Sequence, residues 1–110
     1  MIETIILNYL LNKLSEPVYM ERPVDHPAKY VLLEKTGSSV EDHIRTATFA
    51  VQSYGQTMYD AAELNERVKE ALEASITLPE IFRAKLNSDY NYTDTASKVY
   101  RYQAVFDFVY

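Results

Sequence analysis

Two histidines, His26 and His43, are the first residues to weigh for chemistry, because an imidazole beside a carboxylate such as Asp25 or Asp42 suits metal ligation or proton transfer. Nothing in the spacing brings those pairs together, and both lie in or beside stretches that read as loops. Glycoside cleavage would need two carboxylates about 5–10 Å apart in a cleft. Every candidate carboxylate pair instead falls on an exposed helix face or in a turn. Ser38, Ser39 and Ser53 lack the glycine-flanked elbow of a nucleophilic serine. No HExxH, Walker or EF-hand pattern occurs. Cysteine is absent, which excludes disulfides, thiolate zinc sites and thiol catalysis. The sequence therefore predicts no catalytic residues, no metal and no cofactor.

Tyrosine is what the composition offers instead. Ten tyrosines in 110 residues matter because tyrosine brings a large apolar ring and a hydroxyl to an interface with little rotamer entropy to lose. Tyr90 and Tyr92, in an otherwise polar stretch, are expected at an interface. Tyr100 and Tyr102 suit either core filling or an interface. Alternating aromatics can stack nucleic-acid bases, but such surfaces add a cationic groove, and here Lys98 and Arg101 stand nearly alone. Sixteen acidic against eleven basic residues give a formal charge of −5, which disfavours both DNA phosphates and an anionic membrane surface. Glu3 stands where a signal peptide would carry lysine or arginine, and no apolar run approaches membrane-spanning length. The expectation is a protein made and kept in the cytoplasm unless it leaves as part of a particle.

The elements that must position these residues make one domain, 1–110. Residues 2–15 read as a helix with Ile2, Ile6, Leu10 and Leu14 in one stripe, stopped by Pro17. It is apolar nearly all round, so it needs cover either from a sheet and loop or from a neighbouring subunit. A short strand is expected at 18–20, a loop at 22–29, a strand over 30–35 and a turn at Thr36-Gly37-Ser38-Ser39. A strand over 43–54 should turn Phe49 and Val51 to the core. Gly55 ends it, and a helix over 57–75 follows, with Thr57 as N-cap and Asp60 at N3. The outer face of that helix carries Glu63, Glu66, Glu70 and Glu73, of which Glu66 and Glu70 repel each other at i,i+4. A strand at 81–86, a polar loop at 87–97 and a long terminal strand over 98–110 complete the order. That last strand exceeds usual lengths, which predicts a bulge, a bend or a projecting arm. The fold class is α+β: an antiparallel sheet of four to five strands with two helices packed on one face.

The stretch Gln52-Ser53-Tyr54-Gly55-Gln56-Thr57-Met58-Tyr59-Asp60-Ala61-Ala62-Glu63-Leu64-Asn65-Glu66-Arg67-Val68-Lys69 closes a strand and opens a helix. It resembles the corresponding junction in tail-terminator and tail-completion (head–tail joining) proteins of long-tailed phages of Gram-positive bacteria. The element order and the terminal Tyr102-Gln103-Ala104-Val105-Phe106-Asp107-Phe108 strand match in outline. The resemblance implies a virion-tail protein made in the host bacterial cytoplasm. It implies a homo-oligomeric ring, usually hexameric, that caps the tail tube and meets the head connector. DNA would pass through an electronegative channel without specific binding, with Glu63, Glu66, Glu70 and Glu73 as channel-facing acids. One departure is the 36–42 turn, shorter than the hairpin with which relatives engage the tube. Ile6 and Leu10 of the first helix join the four tyrosines as expected interface residues, and the 87–97 loop is expected to order only on assembly. The alternative reading is a small bacterial adaptor or regulatory protein-binding module with no role in a virion.

Overall fold

Burial in this chain is one-sided, and the helices explain why. The computed structural model describes residues 1–110. Helix α1 (Ile2–Lys13) is followed by strands β1 (Val18–Tyr19), β2 (Tyr30–Glu41) and β3 (Ile44–Gly55), then helix α2 (Met58–Glu73). A 3-10 turn (Ala74–Thr77) and strands β4 (Arg83–Asn91) and β5 (Tyr100–Val109) complete the chain. The strands order β1-β2-β3-β5-β4, antiparallel throughout except for the two-residue β1, which runs parallel to β2. Both helices cover the same face. Their stripes, Ile2, Ile6 and Leu10 on α1 and Leu64, Val68 and Leu72 on α2, join Val31, Leu33, Phe49, Val51, Ala104, Phe106 and Phe108 in one core. Phe49 and Phe108 meet edge to face at 5.6 Å between ring centres, a geometry the ring quadrupoles favour.

The α2 start follows its sequence signal: Thr57 Oγ1 accepts from the Asp60 backbone N–H at 3.1 Å. Gly55, just before it, leaves no room for a side chain. A Cβ there would lie 2.6 Å from Ala61 N and 2.8 Å from Asp60 Cβ. Polar ties then fix the helix layer on the sheet. Arg67 donates to Glu16 Oε1 and Oε2 at 2.8 and 2.6 Å and to Glu63 at 2.6 and 3.0 Å. Lys29 joins the same carboxylates. Tyr9 donates to the Ala71 carbonyl at 2.7 Å, and Lys35 pairs with Glu3 at 3.1 Å. Asp89 on β4 accepts from Asn65 and pairs with Lys69.

Four expectations change. Thr36–Ser39 is not a turn: β2 continues through it with a register shift between Lys35 and Gly37, and the chain reverses at Asp42-His43. Both residues have positive φ, 51° and 65°, as a two-residue type I′ hairpin requires. The hairpin is therefore long, and its outer rungs have no helix beneath them. The 87–97 segment is not all loop either, since β4 pairs with β5 out to Asn91 and α2 holds it at Asp89. The terminal strand spans ten residues rather than thirteen and lies between β3 and β4, so it cannot project as an arm. Its expected bulge falls on β4 instead, between Leu86 and Ser88. Finally, β4 begins at Arg83, with Ile81 buried ahead of it and Phe82 exposed.

Two stability predictions follow from these contacts. The Arg67 hydrogen bonds, with help from the backbone and Ser15 and against some desolvation, hold the Glu16 carboxyl at a pKa of about 2. A depressed carboxylate pKa contributes stability that is present above about pH 4.5 and is lost as pH falls toward about 2. Glu16→Gln should cost about 1–2 kcal/mol at pH 7, after discounting for the partly exposed guanidinium. Urea titrations should show that deficit shrinking as pH drops from about 4.5 to about 2; a deficit independent of pH contradicts the ion-pair account. Gly55→Ala should cost about 1–3 kcal/mol through forced displacement of the α2 N-terminus, read as a lower urea midpoint; an unchanged midpoint contradicts the close approach.

Candidate functional site

The structure does not bring the two histidines together. His26 lies beside Tyr30, where β2 begins, at 5.2 Å between ring centres, while His43 sits in the hairpin turn at the far end of that strand. No three His, Cys, Asp or Glu side chains cluster in metal-binding geometry. No helix is long and apolar enough to cross a membrane.

The sheet face away from the helices carries the side chains of interest. Alternate residues of β3, β4 and β5 bond across strands: Thr48 to Asp107 at 2.6 Å, Asn87 to Asp107 at 3.0 Å, Gln52 to Gln103 at 2.8 Å, and Gln103 with the Tyr90 hydroxyl. Toward the Tyr54 end this polar ladder becomes an aromatic and cationic row. Tyr30 and Tyr54, paired in register, stack at 4.4 Å and 7°. Arg22 and Arg101 approach the Tyr54 ring at 5.7 and 5.9 Å, and Arg101 lies 4.5 Å over Tyr92. Such contacts contribute about 0.5–1 kcal/mol where exposed and more when desolvated. Tyr30 and Tyr54 also wall a cavity of about 390 Å³, together with Arg22, His26, Lys98 and Tyr100. Tyr30 is buried, and its hydroxyl has no hydrogen-bond partner. Burial pushes that phenol pKa up, against the nearby Arg22.

The expected interface residues divide. Tyr90 and Tyr92 are exposed and meet edge to face at 6.0 Å on the uncovered sheet face. They occupy the end of β4 and the residue after it, not a loop. Tyr100 and Tyr102 are half-buried, and Tyr100 lines the cavity. Ile6 and Leu10 are 0% exposed, which corrects their assignment to an interface: α2 and the sheet cover α1, and these two side chains offer a partner nothing. On α2, Glu66, Glu70 and Glu73 face outward and exposed. Glu66, though exposed, pairs with Lys69 at 2.9 Å, and Glu63 is tied down more fully. It is half-buried, and Arg67, then Lys29, hold its carboxyl below the usual range.

Tyr30, Tyr54 and Arg22 were not among the expected site residues. The signal that could reveal them is register: once the two ends of the β2–β3 hairpin are aligned, two tyrosines fall opposite each other. The hairpin tip is exposed too, with Val40 and Ile44 70% and 54% exposed, and Val24, Tyr59, Ile76 and Phe82 are exposed elsewhere on the surface. Searches of protein-family models and of curated proteins give no match to this chain.

Proposed function

We propose that this chain is a structural subunit of a phage or prophage tail-end ring, one that terminates the tail tube and helps join it to the head. The observation that carries the reading is the outer face of α2. Glu66, Glu70 and Glu73 stand exposed on a helix whose inner face is locked to the sheet through Leu64, Val68 and Leu72. A carboxylate wall denies DNA the cationic phosphate contacts that make binding tight, so DNA would slide past it. The strand–helix junction at Gln52–Lys69, on which the tail-terminator resemblance rests, supports the reading too: β3 closes at Gly55 and α2 opens at Met58. The proposed role is structural. It uses no cofactor and no membrane, and its partners are copies of itself, the tube and the connector.

Electron microscopy of tails carrying the protein should show its density as a ring at the head-proximal end. Reversing charge in Glu70→Lys/Glu73→Lys, which leaves the Glu66–Lys69 pair intact, should change folding stability by no more than about 0.5 kcal/mol, as exposed unpaired positions do. Head joining or DNA passage should fall sharply in the same variant. Density elsewhere on the particle, or normal head joining by the folded variant, would count against the assignment.

A further inference from the structure

We propose that the tip of the β2–β3 hairpin of one copy docks in the Tyr30–Tyr54 cavity of a second copy, a head-to-tail contact. The inference deepens the ring reading and rests on it for closure of the contacts into a ring.

The cavity is built for an anionic, partly apolar guest. Its volume of about 390 Å³ falls in the roughly 300–1,000 Å³ range of binding pockets. The Tyr54 and Tyr100 rings give it apolar walls, and Arg22 and Lys98 give it positive charge. Neither Arg22 nor Lys98 has a carboxylate partner, although Lys29, Lys35, Arg67 and Lys69 all do. The buried Tyr30 hydroxyl is likewise without a partner. A second basic cavity, near Arg83 and Lys85, already contains a carboxylate, Asp107, bonded to Thr48 and Asn87.

The hairpin tip has the complementary chemistry. Val40 and Ile44 are exposed β-branched residues on an otherwise polar extension, flanking Glu41 and Asp42. Neither carboxylate is in an ion pair, and Arg45 stands one rung behind them, opposite Val40. Apolar side chains left bare at a strand end are an aggregation hazard unless something covers them. Geometry decides what that cover is. Tyr30 and Glu41 are at opposite ends of β2, roughly 37 Å apart at about 3.4 Å per residue, in a molecule 45 Å long. The tip therefore cannot reach its own cavity. A two-fold dimer through the tips would set Glu41 and Asp42 against their like-charged copies, which is unfavourable. A tip-to-cavity contact pairs opposite charges and joins unlike patches. Repetition of such a contact gives a ring where the rotation closes and a filament where it does not.

The lack of native cysteine makes the test direct. A mixture of full-length Val40→Cys and a mass-tagged Ala28→Cys is oxidised, with circular dichroism confirming that each folds; Ala28 lines the cavity. Ile44→Cys with Gln56→Cys provides an independent second pair. A disulfide needs Cα atoms within about 7 Å, so the mixed dimer should exceed either self-dimer by about fivefold or more. Adding Glu41→Lys/Asp42→Lys to the tip partner should abolish that excess, and adding Arg22→Glu/Lys98→Glu to the cavity partner should restore it. No excess for either pair, or no response to charge reversal, overturns the contact. Native mass spectrometry separates the two ideas. Tip-to-cavity crosslinks in open chains keep this contact and remove the ring, whereas closed rings without the crosslink keep the ring and remove this contact.

Discussion

The structure depends on the constraint that a five-stranded sheet is packed on one face only. With α1 and α2 on the same side, nearly all apolar burial must come from a single layer. Phe49, Phe106 and Phe108 from the sheet therefore meet Leu64, Val68 and Leu72 from α2 with no exposure left. The opposite face has no such layer. It satisfies itself sideways, through cross-strand hydrogen bonds such as Gln52–Gln103 and Thr48–Asp107, each contributing a net ~0.5–1.5 kcal/mol. Side chains that bond laterally leave a flat polar surface with aromatics at one end, and that face stays available to a partner.

A single covered face also demands that the cover not slide. The apolar stripes alone would tolerate small shifts of α2 along the sheet. The Arg67 fork removes that freedom by reaching both the segment after α1, at Glu16, and its own helix, at Glu63. Asp89 does the same at the other edge with Asn65 and Lys69, and Gly55 sets how closely β3 runs into the helix. One consequence is a division among the α2 acids. Glu63 is committed to the fold, Glu66 is exposed but shared with Lys69, and Glu70 and Glu73 remain unpaired on the outer surface.

The parts legible in the sequence were those that burial dictates. Period-2 alternation assigned Phe49 and Val51 to the core face, Thr57 marked a helix start, and Pro17 and Gly55 marked ends. Where burial stops, the pattern stops. Beyond Lys35, β2 lies past the helices and alternates nothing, so Thr36-Gly37-Ser38-Ser39 has the composition of a turn while the true reversal at Asp42-His43 lacks the usual glycine or asparagine. The polar outer half of β4 was hidden for the same reason, since its order comes from pairing with β5 and from the hold of Asn65 and Lys69 on Asp89 rather than from apolar burial. The Tyr30–Tyr54 stack depends on register, and a one-residue slip would send the two rings to opposite faces. For α1, an apolar circumference correctly demanded cover, but composition alone could not separate cover by α2 from cover by a neighbour.

The same logic governs where charge ends up. The four ion-paired basic residues, Lys29, Lys35, Arg67 and Lys69, each meet an acid of the helix layer or of the segment next to it. They are spent holding that layer down. Arg22, Lys98 and Arg101 are left near the Tyr54 end of the sheet, and Glu66, Glu70 and Glu73 keep the outside of α2 acidic. A net charge of −5 therefore conceals an uneven distribution, with unpaired Glu70 and Glu73 outside α2 and unpaired Arg22, Lys98 and Arg101 near one strand end. An uneven field of that kind orients a subunit as it approaches its partners and raises the rate of productive encounter at low salt. In the proposed assembly such a distribution would favour unlike patches over like ones, so the internal ion pairs that secure the fold also set which charges are left for outer surfaces.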